Sequence, residues 1–396
     1  MPSSQRLLVF LCVTMCVSTV SIGAFPALLP EVAGGRALAD WQLGAVAGAF
    51  GFARMIADIP VGLFITHHAR RALVLAPFLL VAGIACMVMS ASFGMLLFGR
   101  ALMGAGHTLG MLAGLTAILR HRPGAGLASS LNAFEFSAMI GILGGVGMLT
   151  VLPRGLSWES AFLIACVPLL VAFVTAPLAA AALPHTEAPA ATASPAGAGG
   201  AGAHPAPASE PSGWGWMAGL AFAAGGTVAL AYATVEQFVI PVRGSREFGL
   251  DRAGIASMLM IAQAVDILAL LPVGALADRR GTARVLGTIL MVFAAAMALI
   301  GFGTTLSVLQ AGCVLFGLSM AGWMLPLGVL RAVTPSPRVA WRLSLYRVVV
   351  DSGMFLGPFV SGLLAARFPR LLPAVLAVML AAIGLALTVK GRPAPR

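Results

Sequence analysis

Arg54 and Asp58 lie four residues apart within one apolar run, and Arg347 and Asp351 repeat that spacing within another. Residues four apart share one face of a helix, so each run carries a base and an acid on a single stripe. Glu135 and Asp266 are isolated acids in two further runs, and Arg100 is an isolated base in a fifth. A charge placed in hydrocarbon costs roughly 2.5 kcal/mol or more, so such residues need partners or water and mark ion, proton or substrate pathways. Two acids facing a low-dielectric cavity cannot both ionise cheaply, which is the property a proton carrier requires. Structural neutralisation of a neighbouring charge is the competing reading for each of them, and substrate binding is a further one for Glu135 and Asp266. No catalytic constellation, no phosphate loop of the G-x-x-x-x-G-K-[ST] type and no cluster with metal-ligand spacing is present. The chain is therefore expected not to be an enzyme, and to use no ATP, metal or cofactor.

The elements that position these residues follow from composition. The 396 residues are 60% hydrophobic and 9% charged, with a mean hydropathy of +0.99. A soluble domain carries about 25% charged residues, so this chain is expected to be dissolved in a lipid bilayer. Runs of about 20 apolar residues recur, each able to cross about 30 Å of hydrocarbon. Twelve spans are expected, at roughly 6–29, 42–66, 71–90, 94–119, 124–150, 157–183, 214–240, 253–277, 283–303, 306–331, 341–364 and 370–390. The first is too long for a signal-peptide core and reads as a retained helix. Residues 184–213 are Ala, Pro, Gly and Ser of low complexity and read as a disordered cytoplasmic linker. They separate an N-terminal six-helix bundle, 1–183, from a C-terminal one, 214–396. The net charge of +11 does not imply nucleic acid, because the arginines form no basic face. With the N-terminus cytoplasmic, thirteen Arg and Lys fall in inner segments against seven in outer ones, which places both termini and the linker inside. The five cysteines all lie in apolar runs and read as packing residues.

One loop organises the rest. Residues 272–284, PVGALADRRGTAR, place Gly274, Asp278, Arg279 and Gly281 between two apolar runs, and Pro60, Gly62, Thr66, His67, Arg70 and Arg71 form a worn copy in the first half. Phe98-Gly99 matches Phe316-Gly317, and Gly141 and Gly145 match Gly353 and Gly357, so the halves read as repeats. The loop resembles the G-x-x-x-D-R-x-G-[RK]-[RK] signature of the major facilitator superfamily. Arg100-Ala-Leu-Met-Gly104-Ala-Gly106 resembles its R-x-x-x-G-x-G motif. Gly353 to Gly362 around Pro358 resembles its glycine-proline antiporter motif, but on the eleventh span rather than the fifth.

The resemblance implies an all-α membrane protein of two six-helix bundles related by a pseudo-two-fold axis, closest in look to bacterial proton-driven drug and metabolite exporters. It implies that Arg100 serves proton coupling, with bonding to backbone carbonyls of a neighbouring helix as the alternative. It implies that Asp278 latches onto the start of the fifth span near Gly124, where a helix dipole is positive. In that fold the second and eleventh spans meet antiparallel, so Arg54 is expected to pair with Asp351 and Asp58 with Arg347, as gates or as plain neutralisation. Glu135 and Asp266 are expected at matching depth where the fifth and eighth spans meet, carrying the coupling proton. His107, Trp323, Asn132 and Gln263 are expected at the substrate cavity, with Glu236 and Gln237 near the outer end of the seventh span. The function read from this is proton-coupled export of a small molecule by alternating access, by a monomer in the bacterial inner membrane. Two other readings stay open: uptake or exchange of an organic anion at Arg54, Arg347 or Arg331, and a non-transporting scaffold or sensor on the same fold.

Overall fold

A computed structural model describes residues 3–121, 127–183, 215–334 and 339–390. The linker expected at 184–213 and the Gly124 end of the expected latch lie outside them. Among the described residues the chain is helical, with no strand. The helices are α1 (Ser3–Gly35), α2 (Asp40–Val88), α3 (Phe93–His121), α4 (Leu127–Val151) and α5 (Trp158–Ala182) in the first half. The second half holds α6 (Trp216–Arg246), α7 (Arg252–Arg280), α8 (Thr282–Phe302), α9 (Leu306–Ala332), α10 (Val339–Ala365) and α11 (Leu371–Lys390). Eleven helices among the described residues are thus long and apolar enough to cross a membrane.

The 49-residue α2 accounts for the difference from twelve. Its backbone leaves helical geometry at His68 (φ −131°, ψ 35°). A Cβ on Gly104 of α3 would stand 2.4 Å from the Phe50 carbonyl, and one on Gly106 would stand 3.0 Å from the Leu80 amide nitrogen. A straight helix would put Phe50 and Leu80 about 45 Å apart. Neighbouring residues of α3 touch both, so α2 folds back at His68 and its two arms are separate crossings. The sequence signal was the worn loop copy, Pro60 to Arg71, within which His68 falls.

Helix packing follows small residues, as expected where lipid is as apolar as the helix faces. A Cβ on Gly141 or Gly145 of α4 would stand 1.9 Å from the Cys16 carbonyl and 2.0 Å from the Val20 carbonyl of α1. In the second half, Gly353 and Gly357 of α10 sit against the Leu230 backbone of α6 at 2.8 and 2.7 Å by the same measure. The two contacts are equivalent by the repeat. Here Gly353 and Gly357 are close-packing residues.

Three helices are irregular. Val167–Val171 of α5 form a 3-10 turn at Pro168, and Val235–Val239 of α6 form a π turn. Helix α9 is interrupted at residues 321–324, where Pro326 lacks the amide that would bond back to Gly322. Helix α6 also runs six residues further than its expected end at 240, continuing through Pro241 to Arg246. Gly281 alone links α7 to α8 with φ +89°, a conformation that favours glycine.

Candidate functional site

The seam between halves is built on the first arm of α2 and on α10. Gly44, Gly48 and Gly51 lie against Pro358, Phe355 and Met354, where added Cβ atoms would come within 2.4 to 2.7 Å of the facing backbone. Continuing along this face, Arg54 Nη2 stands 2.8 Å from Asp351 Oδ1. One turn on, Arg347 donates from Nε to Asp58 Oδ2 at 3.1 Å and from Nη2 to Oδ1 at 3.3 Å. The structure brings both expected pairs together. The Arg347–Asp58 pair is a bidentate hydrogen-bonded fork, whereas Arg54–Asp351 is an ion pair without hydrogen-bond alignment. Asp351 and Asp58 are the more buried members, and both arginines keep some exposure.

Three further ion pairs tie the halves at one end of the bundle. Arg252 donates to Glu31 at 2.9 and 2.5 Å and to the Leu156 carbonyl at 2.7 Å. Arg246 meets Asp40 at 2.6 Å, and Arg154 meets Asp251 at 2.8 Å. Within the second half, Arg243 donates to Glu247 through its Nε and Nη2 and also to the Ile300 and Gly303 carbonyls. These hydrogen bonds hold the Glu247 carboxyl below the ordinary carboxylate range. Sequence reasoning used these arginines as topology markers only and did not single out Glu31, Asp40, Glu247 or Asp251; positions at span ends gave no sign of which would meet.

No ion pair joins the halves beyond Asp58 and Arg347 among the described residues. Past Asp58, Ile59 and Leu63 are 65 and 68% exposed, and Leu268 and Leu271 of α7 are 76 and 80% exposed. Gly62 and Gly274 have no neighbour within 4 Å. Asp278 and Arg279 are exposed and make no ion pair among the described residues.

Glu135 and Asp266 do not form the joint pair that depth alone suggested. Arg54 and Arg347 are the charges that act on the part-buried Glu135, and its carboxylate has no hydrogen bond or ion pair among the described residues. The charge that acts on Asp266 is Glu236. Glu236 lies within the π turn of α6, is 3% exposed, and stands ten residues before the helix ends at Arg246. Tyr232 donates to Glu236 Oε1 at 2.7 Å and Gln263 Nε2 donates to Oε2 at 2.8 Å. Trp323, at the break in α9, packs edge-on against Tyr232 with centroids 5.5 Å apart. Tyr232 was missed by sequence reasoning, although its place four residues before Glu236 was a usable signal.

Arg100 is fully buried and donates to Gln237 Oε1 at 3.2 Å, across the two halves. Its partner is thus a side chain on α6, not the backbone carbonyls of a neighbour. The guanidinium lies over the rings of Phe25 and Phe50 at 4.0 and 4.9 Å, and its Nε and Nη1 have no hydrogen-bond partner. His107 is buried beside Phe50, with Nδ1 unpartnered, on the wall of a small cavity with Thr14, Ser18 and Phe134. Asn132 is exposed on α4 and joins neither cluster.

Two halves of long apolar helices, ion-paired to each other at one end and with crossed charges buried between them, have the architecture of a membrane transporter. The Major Facilitator Superfamily profile matches residues 8–245 and 217–396, and the chain belongs to that family. It is accordingly a transporter and not an enzyme. Solved structures share the fold. A bacterial homologue of the human lysosomal transporter Spinster, inward-facing and unoccupied, superposes with a TM-score of 0.71 at 14% identity, covering 98% of this chain and 95% of its own. A POT family transporter in complex with a thioalcohol-conjugated peptide gives 0.75 at 14% identity, covering 97 and 96%. The human organic anion transporter MFSD10 (TETRAN) gives 0.65 at 17% identity, covering 98 and 100%. No curated protein sequence matches the chain.

Proposed function

We propose that this protein exports a small molecule across the bacterial inner membrane in exchange for protons, by rocking of its two halves. The observation that carries this reading is the Glu135 carboxylate. It stands part-buried and unpaired on α4, within reach of the charges of Arg54 and Arg347, which are already held by Asp351 and Asp58. A proton is the simplest neutraliser of such an acid. When Glu135 ionises it competes with Asp351 and Asp58 for Arg54 and Arg347, so its proton occupancy bears on the seam between the halves. Asp266 and Glu236 make a second acid pair in the other half. With both termini inside, as the arginine and lysine distribution indicates, the ion-paired end is the outer one and the arrangement is inward-facing. Asp278 would then bind the opposite half only after the inner side closes.

Uptake or exchange of an organic anion has one observation in its favour, the two unpartnered nitrogens of Arg100. That guanidinium is fully buried under two aromatic rings, and Arg54 and Arg347 are neutralised by carboxylates. A scaffold has no need of crossed ion pairs buried between two halves that are tied again at one end. The test uses inside-out vesicles with an acidic interior, a fluorescent weak base, and panels of lipophilic cations and organic anions. Compound-triggered loss of the pH gradient in wild type but not in Glu135→Gln supports the proposal. Labelled anion movement with no pH response contradicts it.

A further inference from the structure

We propose that the Glu236–Asp266 cluster of the second half is the site for the ammonium group of the transported molecule, a reading that rests on the protein being a transporter. Both carboxylates are buried, at 3 and 9% exposure, and among the described residues neither has a basic partner. The donors to Glu236 are neutral, Tyr232 at Oε1 and Gln263 at Oε2. Asp266 lies three residues from Gln263, on the same face of α7, and its Oδ1 has no hydrogen-bond partner. An orphaned carboxylate oxygen beside a second acid is a place for a cation.

The surrounding backbone supports this independently. Irregular backbone at membrane depth is tolerated where it lines a cavity or is covered by protein, and broken helices form transporter ion and substrate sites. Two such irregularities meet here: the π turn Val235–Val239 that carries Glu236, and the break after Met320 in α9. Helix α9 is pressed onto α7 beside Gln263, since a Cβ on Gly317 would stand 2.2 Å from the Ala262 carbonyl. The first piece of α9 ends at this break, and the negative end of its dipole favours a positive ligand. Trp323 and Phe316 flank Tyr232 at centroid distances of 5.5 and 6.1 Å, giving aromatic faces of the kind that hold quaternary ammonium groups. Both carboxylates are covered, whereas the rings of Tyr232 and Trp323 keep partial exposure. The cation enters as the Tyr232 hydroxyl releases Glu236 Oε1. In the first half the equivalent helix α3 is unbroken, so the site belongs to one half only.

The probe is benzyltrimethylammonium, with its uncharged isostere neopentylbenzene and with benzoate as controls, added to the purified full-length protein while thermal unfolding is followed. The expected result is a saturable rise in midpoint with benzyltrimethylammonium alone. Glu236→Gln and Asp266→Asn should each weaken half-saturation at least tenfold, and Trp323→Leu, which keeps both carboxylates, about threefold. An equal response to the neutral isostere or to benzoate overturns the proposal. So does unchanged binding in Asp266→Asn and Trp323→Leu, which decide the matter if Glu236→Gln does not fold, or a rise produced by sodium chloride alone. Ammonium binding without proton-coupled movement would defeat the transport reading and leave the site. Proton-coupled movement of anions with no ammonium binding would defeat the site and leave the transport reading.

Discussion

Arg54 of the first half and Asp351 of the second stand 2.8 Å apart, and the pair is reversed one turn on, where Asp58 meets Arg347. Base faces acid and then acid faces base along two antiparallel helices. Each helix thereby carries no net charge on this stripe, and the two can bind only in one register. Removing one member of a buried pair leaves an uncompensated charge, which costs about 3–5 kcal/mol. Arg54→Asp or Asp351→Arg alone should therefore abolish transport and reduce the yield of folded protein. The double swap should restore a measurable part of both, read as transport rate per folded molecule. A double variant no better than either single variant would remove the pairing from the account.

The seam at the closed end should depend on buried Arg252 and not on the exposed pair. Arg252 is 7% exposed and bridges Glu31 and the Leu156 carbonyl, whereas Arg154 is 84% exposed at its pair with Asp251. Exposed pairs contribute about 0–1 kcal/mol. Spin labels at Gly34→Cys and Thr304→Cys, both exposed and on opposite halves, in a background without the native cysteines, report the opening. Arg252→Ala should shift their distance distribution to longer values, and Arg154→Ala should leave it nearly unchanged. Equal behaviour of the two variants would contradict this division of labour.

Close approach of α4 to α1 predicts sharp differences among glycines. Gly141→Ala drives a methyl into the Cys16 carbonyl, with an ideal separation of 1.9 Å, while Gly144 has no neighbour within 4 Å. Overpacking of this kind costs about 1–3 kcal/mol. Gly141→Ala should lower the thermal midpoint in detergent clearly, and Gly144→Ala should not.

Much of the fold was legible because the signals were local. The apolar runs, the loop around Asp278 and the spacing of Arg54 with Asp58 and of Arg347 with Asp351 each depend on a few neighbouring residues. The crossed ion pairs needed only helix register and an antiparallel neighbour. Irregular backbone was what the sequence concealed. Glu236 is buried within a π turn, and nothing in Val235–Val239 announces that turn. The pairing of Arg252 with Glu31 was equally hidden, since it joins span ends far apart in sequence and depends on which end of the seam is closed.

The Arg243–Glu247 pair lies at the membrane boundary and has a defined pH dependence. Glu247 is held below the ordinary carboxylate range by its hydrogen bonds to Arg243. A depressed acid stabilises the fold fully above its unfolded value, about 4.3 for glutamate, and the gain is lost as pH falls through the folded value. The difference in thermal midpoint between wild type and Glu247→Gln should be constant from pH 7 to 5.5 and shrink below about 4.3. A difference that grows on acidification would reverse the assigned sign.

The most direct test of proton coupling through Glu135 separates exchange from uphill movement. In proteoliposomes, Glu135→Gln should keep substrate counterflow, which needs only rocking of the halves, and lose accumulation driven by an imposed pH gradient. Gradient-driven accumulation that persists in Glu135→Gln at the wild-type level would contradict the account.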